Sequence, residues 1–212
     1  MIQVLSPAPH RPASTPTTRP YAADGFAEEF LTRVLHRDRI VAAVDRLLGA
    51  GFELGPFGAG PGRKVAAATA KGTYLGARGT CLDPETGPGY RIVVPAAVRF
   101  DLDLRVDRLT FDADVHIPLR VQMGIAAPLT LTLDITPPDV EEVELRVRST
   151  TRRGEILRRS IGLDEELRAF VVRFTHRELT KPHIVAATRI DLAGAIDGVW
   201  PQLADQFLPP AP

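Results

Sequence analysis

Apolar and polar residues alternate with a period of two through four runs between Val98 and Val147. In the first, Val98, Phe100, Leu102, Leu104 and Val106 alternate with Arg99, Asp101, Asp103 and Arg105. A tight turn is predicted at Asp107-Arg108. The second run then carries Leu109, Phe111, Ala113, Val115, Ile117, Leu119, Val121 and Met123, with intervening positions polar apart from Pro118. The third sets Leu129, Leu131, Leu133 and Ile135 against Thr130, Thr132, Asp134 and Thr136. The fourth sets Val143, Leu145 and Val147 against Glu144, Arg146 and Arg148. Successive side chains of a strand point to opposite faces, so the pattern predicts antiparallel strands with one buried and one wet face. Leu109 to Met123 alone would extend about 50 Å, a length that must twist and coil. Pro118 has no N–H to give a ladder, which predicts a bulge or an edge position. The strands define a long, highly curved sheet whose concave face is apolar and needs a cover.

The cover is predicted to be helical. Phe26, Phe30, Leu31, Val34, Val41, Val44, Leu47 and Leu48 recur at spacings of three and four, with Asp24 as a cap and Glu28 and Glu29 in the first turns. This predicts one N-terminal helix from Asp24 to Leu48, ended by Gly49 or Gly51 and about 37 Å long. A second helix is predicted from Asp164, as cap, through Leu167, Phe170, Val171, Phe174 and Leu179, stopped or redirected by Pro182. Residues 150–161 are read as a short helical turn or a loop, and 183–190 as a short strand or a helix start. Residues 191–208 read as a helix with Ile196, Val199, Trp200 and Leu203 on one side, kinked or divided by Pro201. Residues 52–62, rich in Gly and Pro, read as a connector, followed by Ala- and Gly-rich weak strands to Leu82 and a better strand at Tyr90 to Val94. Residues 1–22 and 209–212 read as tails around a single α+β domain at 23–208.

Composition narrows the function without naming it. Hydrophobic residues make up 44% of the 212 and aromatic residues 6%, so the core is built mainly from aliphatic side chains. The 26 basic and 26 acidic residues balance, which argues against a general nucleic-acid binder. The one cysteine, Cys81, has no internal disulfide partner, and no Cys/His group has zinc-site spacing. The opening lacks the basic start and apolar run of a signal peptide, and no stretch reaches membrane-span length, so the chain reads as soluble and cytoplasmic. The glycine-rich segment 55–64 lacks the GK[ST] of a phosphate loop and precedes a strand, so it reads as a plain loop. His10, His36, His116, His176 and His183 form no HxxxH or HExxH pair and read as surface residues. Asp101, Asp103, Asp112 and Asp114 fall on the wet face beside Arg99, Arg105 and Arg108, where cross-strand pairing accounts for them. The basic group Arg146, Arg148, Arg152, Arg153, Arg158 and Arg159 is either a patch for an anionic surface, such as a membrane periphery, or a solvated face partnered by Glu141, Glu142 and Glu144. No catalytic residue, metal site or cofactor is indicated.

The long helix, the strands VRFDLDLRV, LTFDADVHIPLRVQM and LTLTLDI, the PPDV step at Pro137 to Val140 and the helix after Asp164 together resemble the tubular lipid-binding superfamily. That superfamily includes synaptotagmin-like mitochondrial lipid-binding proteins and bactericidal permeability-increasing proteins. The resemblance is one of architecture over most of residues 24–180. It implies a sheet wrapped on a helix with lipid held in the apolar seam, and a non-enzymatic binder or carrier of a lipid or other long apolar molecule. The expected lining is Phe100, Leu102, Leu104, Phe111, Val115, Ile117, Leu119, Leu131 and Leu133, with Phe170 and Phe174 from a covering helix. Two other classes stay open. One is a barrel-pocket enzyme, cyclase- or isomerase-like, which needs an inward acid or base that the alternation does not supply. The other is an interaction module whose apolar face is closed by homodimerisation.

Overall fold

A computed structural model describes residues 23–59, 66–83, 85, 87–103, 108–149, 151–160 and 162–207. Within them the order is α1 (Ala23–Val34), α2 (Arg37–Leu48), β1 (Gly51–Ala59), β2 (Ala66–Tyr74), β3 (Arg78–Cys81), β4 (Gly89–Asp103), β5 (Arg108–Ala126), β6 (Thr130–Thr136) and β7 (Glu144–Ser149). Then follow α3 (Arg152–Ser160), α4 (Leu163–Leu179), α5 (Pro182–Ala187), β8 (Arg189–Asp191) and α6 (Leu192–Phe207). The strands described form one antiparallel sheet in the order β1-β2-β4-β5-β6-β8, with β3 on β4 and β7 on β5. It curls strongly into a half-barrel with the C-terminal helices packed on it, so the fold is α+β as the alternation predicted.

The spine is the β4–β5 pair, in unbroken register from Gly89↔Gln122 to Asp103↔Arg108. The register stacks Leu102 on Leu109, Phe100 on Phe111, Val98 on Ala113, Ala96 on Val115, Val94 on Ile117 and Ile92 on Leu119, all buried. Between them the outward residues pair by charge. Arg99 Nε lies 2.8 Å from Asp112, Arg108 Nε 3.4 Å from Asp103, and the Thr110 hydroxyl donates to Asp101 at 2.8 Å. Those carboxylates are a solvated ladder. Residues 104–107, with Leu104 and Asp107 of the predicted turn, lie outside the described residues, and Arg108, the other residue of that turn, opens β5.

Pro118 causes no register shift against β4, where it faces Val93. Its role appears on the other side of β5. There β6 pairs residues 120–126 and β7 pairs 111–116, so Pro118 stands in the gap between them. Arg120↔Thr136 and His116↔Glu144 are the last and first rungs, which leaves 117–119 of β5 opposite 137–143 of the other strand. β6 and β7 are thus one long strand interrupted by a looped-out segment that contains Pro137, Pro138 and a 3-10 turn at Val140–Glu142. The edge expectation for Pro118 is met locally, at the point where no ladder N–H is needed.

The N-terminal helix is two helices, a correction to the single one expected. Its turn is at His36, whose extended ψ of 142° ends the α-helical path and whose Nδ1 accepts the Asp38 N–H at 3.3 Å. Leu31, Leu35 and Ile40 are the buried anchors. The five-residue step from Leu35 to Ile40 falls off a continuous apolar stripe, and the turn at His36 lets both helices bury their anchors. The segment read as a connector is largely strand β1, paired to β2 with an irregularity between Leu54 and Phe57. Residues 152–160 are fully helical. α4 is capped by Gly162 in the left-handed region, not by Asp164. Pro182 opens α5 at its first turn, where a missing N–H costs nothing. Residues 182–191 supply both α5 and β8, and α6 runs through Pro201 without a break.

Candidate functional site

The concave face is covered by this chain's own helices. Leu31, Leu35 and Ile40 of α1–α2 and Leu163, Leu167 and Val171 of α4 join the strands in one buried cluster. Under α4 the seam is lined by Phe52 of β1, Ala96, Val98 and Phe100 of β4, Val115 and Ile117 of β5, and Phe170, Val171 and Phe174 of α4. Every lining side chain is apolar. Five of the expected lining residues meet there: Phe100, Val115, Ile117, Phe170 and Phe174. Leu102, Phe111, Leu119 and Leu131 are buried on the same face outside the seam cavity, and Leu133 is half-buried beside them.

Four seam residues lie beyond the expected lining, Ala96, Val98, Val171 and Phe52, and the last was missed because Gly- and Pro-rich neighbours hid its strand. Its register partner across β1–β2 is Gly72, and a Cβ at Gly72 would overlap the Phe52 ring. The glycine therefore gives the ring its seat, a cross-strand arrangement in which an aromatic covers the bare backbone. From that seat Phe52 reaches Tyr74 at 5.4 Å and Phe174 at 5.2 Å between ring centroids, and Phe174 reaches Phe170 at 6.4 Å. β2 adds only Ala68 and Ala70 to the buried wall. Small residues on β2 and rings from β1 and α4 thus shape the seam.

The cavity left between these walls is only about 20 Å³, roughly one water's worth of space. Phe170, Val171 and Phe174 fill the trough. A long apolar molecule could occupy it only by displacing them, that is, by lifting α4 from the sheet.

Polar groups at the rim report this burial. The Tyr74 phenol is pushed up to about 12, first by burial and then by the nearby Glu178 carboxylate. Its acidity is weaker in the folded chain, so the stability it contributes is present below its ordinary value of 10.0 and is lost as pH rises from there through about 12. Tyr74→Phe is expected to flatten the alkaline loss of stability in that window. Urea unfolding at pH 9 and pH 11 checks this, and equal slopes for both proteins would refute it.

The members of the basic group are placed differently. Arg158 turns inward: its Nη2 lies 2.7 Å from Glu155 and its Nη1 2.5 Å from Asp164, which joins α3 to the first turn of α4 and holds its guanidinium firmly protonated. Arg148 lies 3.6 Å from Asp114 across β5–β7. Arg146, Arg152 and Arg153 are exposed, and the Arg159 side chain lies outside the described residues. His116, His176 and His183 are half-buried or exposed, and no group of three or more His, Cys, Asp or Glu that could hold a metal occurs among the described residues. A separate apolar strip sits on α6, where Ile196, Val199, Trp200 and Phe207 are exposed. Among the described residues no helix is long and apolar enough to cross a membrane.

The half-barrel and its helix-filled seam define a class, an α+β protein with a closed apolar trough. No family model matches the chain, and no curated protein or solved structure matches it significantly.

Proposed function

We propose that this protein binds a lipid or other long apolar molecule in the seam between α4 and the concave face of the sheet. The observation that carries the reading is the seam lining, apolar at every position from Phe52 to Phe174 and closed on one side by a single helix. Apolar sites with few polar groups suit aliphatic ligands. The resemblance to the tubular lipid-binding superfamily points the same way.

Binding on this reading requires α4 to move. Its ends suit such a motion: Gly162 in the left-handed conformation (φ 62°) precedes it, and Thr180, Lys181 and the helix-opening Pro182 follow. Exchange of Phe170, Val171 and Phe174 for an acyl chain replaces one apolar packing by another, so its free-energy cost is far smaller than that of exposing the sheet. Solvent extraction of natively purified protein is expected to release stoichiometric lipid detectable by mass spectrometry, and a fluorescent fatty acid is expected to bind saturably. Empty extracts together with no saturable binding would sink the proposal.

A further inference from the structure

The wet face carries a feature that the charge ladder does not explain. Register draws one straight row across four neighbouring strands: Thr80 of β3 faces Arg91 of β4, Arg91 faces Arg120 of β5, and Arg120 faces Thr136 of β6. Elsewhere along the β4–β5 pair arginine stands opposite aspartate, at Arg99↔Asp112 and Asp103↔Arg108. Two arginines directly opposite each other repel, and such a pair destabilises a sheet unless an anion lies between them.

One carboxylate partly supplies that anion. Glu142, from the looped-out segment between β6 and β7, places Oε1 2.7 Å from Arg120 Nη2 and 4.0 Å from Arg91 Nη2. Its Oε2 accepts the Asp139 N–H at 3.2 Å, so the carboxylate is fixed by its own turn. That backbone bond, with the two arginines, holds Glu142 below the usual carboxylate range. The trio of Arg91, Arg120 and Glu142 retains one positive charge, and Arg91 sits at the limit of ion-pair distance.

Beside this trio is a cavity of about 430 Å³, lined by the whole row together with Cys81, Asp83 and Gln122. Its volume falls in the range of small-molecule sites. It lies on the opposite face of the sheet from the seam. We propose that this cavity is a binding site for a small oxyanion, a carboxylate or a phosphate group, held by Arg91 and Arg120 with the hydroxyls of Thr80 and Thr136 at either end. A guanidinium presents a planar fork of donors that matches two oxygens of either group. Asp83 bounds the site on the β3 side and disfavours ligands with a second negative charge pointing there.

Calorimetric titration of the folded chain with inorganic phosphate or succinate, at ionic strength held constant with chloride, measures the site. Saturable heat with either anion is the expected result, and which anion acts distinguishes a phosphate from a carboxylate ligand. Arg91→Gln and Arg120→Gln should each weaken it at least about tenfold, since each removes charge-assisted hydrogen bonds. Both positions are exposed, and circular dichroism confirms that the variants fold. Glu142→Gln removes the internal competitor and should tighten binding. The proposal is overturned if neither anion gives a saturable response, or if the arginine variants respond like the parent.

Discussion

Replacing Phe111 by alanine is expected to destabilise the protein by about 4 kcal/mol, the middle of the range for core phenylalanines. Phe111 is 1% exposed and lies on β5, between β4 and β7. It faces Phe100 on β4 and Ser149 on β7, so the vacated volume is walled by strands on both sides. Strands held by ladders on both edges collapse poorly into a void, which keeps the cavity contribution large. Urea denaturation followed by far-ultraviolet circular dichroism measures this. A loss below about 1.5 kcal/mol would mean that the site relaxes, and that the sheet is less rigid than its register implies.

Phe174→Ala should cost less, about 3 kcal/mol, because Phe174 lies at the rim of the core at 8% exposure and on a helix that can shift. It loses ring contacts with Phe52 and Phe170, and the cation-π contact of Arg177, whose guanidinium carbon is 5.5 Å from the ring centre. Its consequence for function is opposite in sign. The substitution enlarges the seam at the point where α4 fills it, so on the ligand reading the variant should be weaker in denaturant yet bind a fluorescent fatty acid more tightly. Ligand should then restore part of the lost stability by mass action. Fatty-acid titration and denaturation of the variant with and without ligand test both halves. A variant that is destabilised and binds no better than the parent would argue that the seam is only core.

The parts of the fold that were legible in the sequence are those where one face is buried and the other wet. β5, β6, β7 and the part of β4 from Val98 could be placed from alternation alone because each outward polar residue marks its neighbour as inward, whereas Tyr90 to Val94 was read as a separate strand and is the first part of β4. α4 was legible for the same reason at a different period. Where composition is uniform the signal fails. β1 was hidden because Gly55, Pro56 and Gly58 mimic a loop, although Phe52 and Leu54 keep the strand period. The break at His36 was legible in principle, from a side-chain acceptor two residues before Asp38 and a five-residue step between Leu35 and Ile40. Of the lining residues, Phe100, Val115, Ile117, Phe170 and Phe174 were found because they belong to strong patterns. Nothing in the sequence indicated how completely α4 fills the trough, since that depends on the distance between helix and sheet. The row of Thr80, Arg91, Arg120 and Thr136 was invisible for a related reason: register joins four strands whose residues are far apart in the chain.

The meander of β4, β5 and the interrupted β6–β7 strand also bears on how the chain can reach this shape. β4 and β5 meet across residues 104–107, β5 and β6 across 127–129, and β7 continues along the edge that β6 has begun. Each of these closures joins short loops, whose entropic cost is small. β8 must instead return to β6 from beyond α5. The central strands can therefore zip in the order in which they are synthesised, while the edge beside α6 waits for β8 at Arg189–Asp191. Assembly that proceeds from mostly local pairings is fast for a β-rich topology, and it leaves the concave face unsealed until α4 has emerged.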